Sequence, residues 1–268
     1  MKRETRHISM IKYEDGKITH TDDEIAEEYP LTIMVNDEEF ATMVCTPDHL
    51  EELVIGFLAS EGVIRHVDDI LSMHIDKGRG YAYITTHKQV NSTSSNKRWI
   101  GSCCGMSRAF YFQTDAKQAK TVMDDFKVKP EDCLNLMKAF QERASMFKKT
   151  GAVHQAAIAS REGIELIFHD IGRHNALDKL NGFMIKNKIS RKEKMVIFSG
   201  RISSEILIKV SKMRLGFLLS KSAPTDLAIE LADDLNITAI GFARGNRMNI
   251  YTHSNRLLIE ESTELDLN

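Results

Sequence analysis

The sequence predicts an α/β protein, a layered mixed sheet flanked by helices, with a smaller β+α region ahead of it. Three observations lead there. From residue 152 onward, β-rich apolar runs alternate with helical periodicity in the order β-β-α-β-α-β-α-β. That order argues for helices on the faces of a sheet largely parallel in its middle. Before it, two hairpin patterns surround a helix pattern, and the 42% hydrophobic content over 268 residues is enough for a sizeable core. The expected division is a 1–150 region carrying a long mobile cysteine loop and a 151–268 cofactor-binding domain.

Residues 1–30 are charged and read as a loosely held lead-in with one short strand. The runs 31–35 and 40–44 form a hairpin across Asn36-Asp37-Glu38. Thr46-Pro47-Asp48 is expected to open a helix, with Thr46 as cap, Pro47 in the first turn and Asp48 facing the dipole. Leu50, Leu53, Val54, Phe57 and Leu58 make its apolar stripe and Gly62 stops it. A second hairpin spans 70–75 and 81–86, turning through Asp76-Lys77-Gly78-Arg79-Gly80. The polar stretch 91–97 has no periodicity and joins the cysteine segment in one long loop, a type that is commonly functional. Pro130 starts a helix with Leu134, Met137, Phe140 and Met146 on one face, ending near Lys148-Lys149 before Gly151. The later strands are expected at 153–159, 164–168, 195–198, 217–219, 238–242 and 248–251, and the helices near 175–186, 204–213 and 225–235.

The net charge of −2 argues against a nucleic-acid coat or a membrane-surface protein. The start Met-Lys-Arg-Glu-Thr-Arg-His has no signal-peptide character, no apolar run approaches a membrane span, and only four cysteines occur. These features predict a cytoplasmic protein whose thiols stay reduced.

Two of those thiols stand side by side in Trp99-Ile100-Gly101-Ser102-Cys103-Cys104-Gly105-Met106-Ser107-Arg108, with Arg98 and Arg108 flanking them. A thiol among glycines near guanidinium groups has a lowered pKa and is nucleophilic. Neighbouring Cα atoms are about 3.8 Å apart and disulfides prefer about 4.4 to 6.8 Å, so a Cys103–Cys104 bridge would be strained. No Cys-x-x-Cys occurs, which removes the usual zinc spacing, and no metal site is read from the sequence. One attacking thiolate with an assisting neighbour remains, suited to sulfur relay, acyl transfer or redox sensing. Cys45 and Cys133, inside apolar runs, read as structural.

Each connection leaving a strand in the second half carries a polar cluster. These are His169-Asp170-Ile171-Gly172-Arg173-His174-Asn175, Ser199-Gly200-Arg201-Ile202-Ser203-Ser204, Ser220-Lys221-Ser222-Ala223-Pro224-Thr225-Asp226 and Ala243-Arg244-Gly245-Asn246-Arg247. Ligands of open α/β sheets bind outside the carboxyl ends of strands, and helix N-termini attract anions. Four such clusters predict a ligand with several phosphates, held by Arg173, His174, Arg201, Lys221, Ser222, Arg244 and Arg247. None is a Walker loop or Gly-x-Gly-x-x-Gly, which disfavours ATP hydrolysis and ordinary NAD binding. Asp170 and Asp178 either orient these cations or cap and solvate the helix. His154 is read equally as a core or a site residue.

The stretches Asp170-Ile-Gly-Arg-His-Asn-Ala-Leu-Asp-Lys179, Ser199-Gly-Arg-Ile-Ser-Ser-Glu205, Ser220-Lys-Ser-Ala-Pro-Thr225, and Gly241-Phe-Ala-Arg-Gly-Asn-Arg247 with Tyr251-Thr252 resemble the FdhD/NarQ family of formate dehydrogenase accessory sulfurtransferases. The 51–62 helix and the Cys103 segment match as well, and the likeness runs from about residue 30 to 253. It implies a cytidine deaminase-like larger domain, a homodimer, and sulfur accepted from a cysteine desulfurase as a persulfide. That sulfur would pass to the bis(molybdopterin guanine dinucleotide) molybdenum cofactor that formate dehydrogenase needs. By motif, Cys103 takes the persulfide position, and Phe242, Ala243, Arg244, Gly245, Asn246 and Arg247 the guanine dinucleotide position, so GDP should act as a mimic. Many members carry Cys-x-x-Cys, whereas here Cys103-Cys104 precedes Gly105-Met106, which leaves the role of Cys104 open. A non-catalytic chaperone for the same cofactor is the alternative. Zinc deamination needs His-x-Glu and Pro-Cys-x-x-Cys, and the nearest candidate here reads His154-Gln155-Ala156.

Overall fold

The structure, a computed structural model, describes residues 4–87, 99–100, 121–123 and 125–259. Its first element corrects the expected lead-in. β1 (Thr5–Glu14) and β2 (Lys17–Ala26) form a long antiparallel hairpin, in register from Thr5 opposite Ala26 to Glu14 opposite Lys17. Both faces are largely exposed, so the strands show no burial alternation for sequence reading to detect. The overlooked signal is Asp15-Gly16, both at positive φ (51° and 78°), the two-residue turn that matches strand twist.

β3 (Tyr29–Val35) and β4 (Glu38–Cys45) follow as expected, turning through Asn36 and Asp37 at φ 50° and 67°. With β5 (Ile70–Asp76), β6 (Tyr81–Thr86) and β7 (Trp99–Ile100) they make a five-stranded sheet in the order β5-β6-β3-β4-β7. α1 (Leu50–Ser60) packs its Leu53, Val54, Phe57 and Leu58 into this sheet's core with Leu31, Ile33, Met43 and Ile84. The helix starts later than expected. His49, in the left-handed region, stands at its N-cap and makes no side-chain cap bond. Thr46 and Asp48 are drawn away into the buried contacts described below.

The second half follows the predicted alternation. β8 (His154–Ser160), β9 (Gly163–Asp170), β10 (Met195–Phe198), β11 (Phe217–Ser220), β12 (Thr238–Arg244) and β13 (Arg247–Ile250) make a mixed six-stranded sheet in the order β13-β12-β11-β10-β8-β9. β10, β11 and β12 run parallel and the outer pairs antiparallel. α4 (Arg173–Lys186), α5 (Ser204–Lys212) and α6 (Asp226–Asp234) cover one face, packing on Ile158, Val196, Phe198, Leu218 and Ala239. α2 (Pro130–Glu142) covers the other, packing on Ala157, Ile197, Leu219 and Ile240. Burial on both faces explains why the central strands read as unbroken apolar runs. The helix expected to run from Pro130 to Lys149 breaks at Arg143-Ala144, and the short α3 (Ser145–Thr150) follows.

The two sheets meet through α1 and α4. A Cβ on Gly56 would overlap the Asp178 carbonyl, and one on Gly182 the Glu52 carbonyl. The two backbones therefore touch, and each glycine is required by its neighbour.

Candidate functional site

Three parallel strands ending side by side bring their following loops to one edge of the six-stranded sheet. The antiparallel pairing of β8 with β10 sets His154 at that edge, and Asp170 at the end of β9 lies opposite His154. The loops are then locked by their own serines. Ser199 Oγ accepts from Gln155 N at 2.9 Å. Ser222 Oγ donates to the Ser199 carbonyl at 3.0 Å. Ser220 Oγ donates to the Gly200 carbonyl at 2.7 Å and accepts from Ser222 N at 3.0 Å. The Phe242 amide donates to the Ser222 carbonyl at 3.1 Å. The serines of the motifs thus hold loop to loop, and the cations are what the edge offers outward.

Arg173 opens α4, half-buried beside Gly200, where a Cβ would lie 3.4 Å from that of Arg173. His174 Nε2 lies 2.9 Å from Glu205 Oε2 and ties the start of α4 to the start of α5. Arg201, Arg244 and Arg247 are exposed and Lys221 is half-buried. Among the described residues, no ion pair joins these four to a carboxylate. Arg244 lies over the Phe242 ring, 5.6 Å from its centroid. Phe242 itself has φ 52°, a costly left-handed conformation for a bulky residue, at a bulge between Gly241 and Arg244. Gly241 allows the close approach, since a Cβ there would sit 2.9 Å from the Ser222 carbonyl oxygen. Gly245 and Asn246 form the exposed turn, whereas Ala243 is buried in the apolar core and can offer a ligand only its backbone. His154 is half-buried with Nδ1 3.4 Å from Ser199 Oγ. Burial, and then the charges of Arg173 and His174, lower its pKa.

Cys103 and Cys104, with the flanking Arg98 and Arg108, lie outside the described residues. The other two thiols are buried. Burial pushes Cys133 up to about 12 and raises Cys45 further, so neither supplies a thiolate near neutral pH.

Sequence reasoning missed a second charged cluster, with Lys179, Asp170 and Asp178 buried at its centre. Lys179 Nζ lies 2.8 Å from Asp170 Oδ2, 2.6 Å from Asp48 Oδ1 and 2.6 Å from Thr46 Oγ1. Asp170 also accepts from Thr46 N, Gly172 N and Asn175 Nδ2. Beside it, Asp178 takes Lys209 Nζ at 2.6 Å and Ser60 Oγ at 2.7 Å. These side chains hold the two halves of the chain together. The available signal was the position of Lys179 among Ala176, Leu177 and Leu180, on the face of α4 that enters the core.

Four cations without carboxylate partners, displayed on a rigid sheet edge next to helix starts, suit an anion with several charged oxygens. Comparison with known proteins agrees with the motifs. Residues 26–258 match the model of the FdhD/NarQ family. "Sulfur carrier protein FdhD" of Geobacillus kaustophilus is 54% identical over 254 residues, covering 92% of this chain and 95% of its own. The protein of that name from Staphylococcus aureus (strain MRSA252) is 51% identical over 256 residues, covering 94% and 96%. A crystal structure of a candidate formate dehydrogenase accessory protein from Desulfotalea psychrophila shares the fold, with TM-score 0.79 at 20% identity, covering 96% of this chain and all of that one. With nearly its whole length matched by that family model and by relatives at about half identity, the chain belongs to the FdhD/NarQ family.

Proposed function

We propose that the protein is a sulfur carrier and sulfurtransferase serving formate dehydrogenase. In this reading Cys103 thiolate attacks the terminal sulfur of a cysteine desulfurase persulfide. The desulfurase S–S bond breaks, its cysteine leaves as thiolate, and Cys103 holds the sulfur as Cys-S-SH. The substrate that receives the sulfur is the bis(molybdopterin guanine dinucleotide) molybdenum cofactor. The persulfide first gives its proton to solvent, and transfer of the neutral outer sulfur atom from Cys-S-S⁻ then returns Cys103 to thiolate, with the metal as the two-electron reductant. Arg173, Arg201, Lys221, Arg244 and Arg247 hold the cofactor's phosphates, and the backbone of 242–247 borders its guanine. A homodimer working in the cytoplasm completes the reading.

The observation that carries it is the row of carboxylate-free cations at the ends of β10, β11 and β12. The burial of Cys45 and Cys133 adds support, because it leaves the Cys103-Cys104 pair as the reactive thiols. The names of the relatives point to the same carrier role. Incubation with a cysteine desulfurase and cysteine should give an adduct of about +32 Da, one sulfur, on Cys103 by mass spectrometry. Cys103→Ala should abolish both the adduct and formate dehydrogenase activation. Full activation by that variant would instead favour a chaperone that delivers the cofactor without chemistry.

A further inference from the structure

At the junction of the hairpin, the β4–α1 loop and β9, three side chains distant in sequence converge. His169 Nε2 lies 3.5 Å from Glu4 Oε2 and 3.7 Å from Asp48 Oδ2, and the three ligand atoms fall within 4.8 Å of one another. The imidazole nitrogen has no accessible surface and no hydrogen-bond partner. Both separations exceed the usual ~2.7–3.2 Å of an N–H···O bond. They are close to the edge of a coordination tetrahedron, about 3.4 Å for zinc bonded to nitrogen and oxygen at ordinary lengths.

The surroundings favour a cation. Glu4, Asp48 and Asp170 bring three carboxylates near one ammonium, that of Lys179. Lys179 occupies Asp48 Oδ1 and leaves Oδ2 turned to His169. The supports are rigid. The Glu4 carbonyl accepts from Glu27 N at 2.9 Å, the His169 carbonyl accepts from Lys179 Nζ at 3.2 Å, and Asp48 is also held by Thr46 Oγ1. Partners of this kind fix the orientation of metal ligands and sharpen affinity.

We infer that Glu4, Asp48 and His169 form a site for one divalent transition-metal ion of the zinc class, with a fourth position open to water. One imidazole and two carboxylates suit such an ion. The bound metal fastens the base of the β1–β2 hairpin to both sheets. An isolated two-stranded hairpin is marginal in water, and the described residues also tie this one down through the Lys149–Glu24 pair at 3.8 Å.

The test uses the full chain carrying Cys103→Ser and Cys104→Ser, so that those thiols cannot bind the ion and the sulfur-transfer reading is not at stake. After dialysis against zinc, elemental analysis should find one equivalent per chain. Cobalt(II) in its place should give visible ligand-field bands without a thiolate charge-transfer band. Glu4→Gln, an isosteric change at a half-exposed side chain, and His169→Ala should each weaken zinc binding about tenfold or more. The site is refuted if no zinc is retained, if both variants bind as tightly as the parent, or if a thiolate band appears.

Discussion

The Asp170–Lys179 stretch supplies two charge clusters that behave in opposite ways. Lys179, Asp170 and Asn175 turn inward, where every charge is hydrogen-bonded and paired and no water is needed. Arg173 and His174 stand at the sheet edge, where His174 pairs with Glu205, while Arg201 and Lys221 beside them meet no carboxylate among the described residues. A saturated cluster locks the structure, because breaking it strands a charge in low dielectric. Cations without a carboxylate, such as Arg201 and Lys221, stay available to an anion from solution. Motif membership alone does not separate these roles, and burial does.

The inner cluster should show the largest effect. Lys179→Met leaves Asp170 and Asp48 without their counter-ion and should destabilise the protein by about 3–5 kcal/mol, read as a lower urea midpoint. A loss under half that would mean the cluster is not the lock between the two halves. The glycine contact between α1 and α4 comes next. Gly56→Ala forces a methyl onto the Asp178 carbonyl and should cost about 1–3 kcal/mol in the same assay, while an unchanged midpoint would show that the helices can separate freely.

The outer cluster should respond differently. Arg244→Ala and Arg247→Ala should each weaken GDP binding about tenfold, measured by calorimetry, with stability within about 0.5 kcal/mol of the parent. If stability falls and GDP affinity does not, the contrast between the clusters is lost. The smallest effect belongs to the pair of half-exposed His49 and buried Glu52 at the start of α1. His49, and then Lys186, hold the Glu52 carboxyl down from 4.5 to about 2. His49 in turn is raised above 6.5 by Glu52. His49 Nδ1 stands 3.8 Å from Glu52 Oε2, too far for a hydrogen bond, so the attraction acts through charge. The Glu52 contribution is complete above pH 4.5 and lost as pH falls toward 2, and the His49 contribution is complete below 6.5 and lost as pH rises through its raised value. His49→Gln should therefore cost most between those two pH values, by less than about 1 kcal/mol, and a pH-independent difference would rule the pairing out.

Much of this was legible beforehand. The hairpin at Asn36-Asp37, the helix after Pro130 and the alternating second half all carry local signals, a turn dipeptide or a side-chain period. So do the loops after β10, β11 and β12, because strand ends are visible as the points where apolar runs stop. The first hairpin escaped because solvent on both faces erases the two-residue period, although Asp15-Gly16 marked its turn. Thr46 was misread for a different reason. Its residue type suits a helix cap, but the side chain is claimed by Asp170 and Lys179, more than 120 positions away.

From its own order of residues, the chain determined the strand and helix succession, the polar loops at the sheet edge and the burial of Cys45 and Cys133. These follow from neighbours a few positions apart, whose periodicity decides which side faces water. Only the tertiary structure decided that Lys179 is buried, that Gly56 and Gly182 join two helices, and that Glu4, Asp48 and His169 converge. Such meetings depend on how the sheets pack, and no local repeat in the sequence encodes a contact between distant segments.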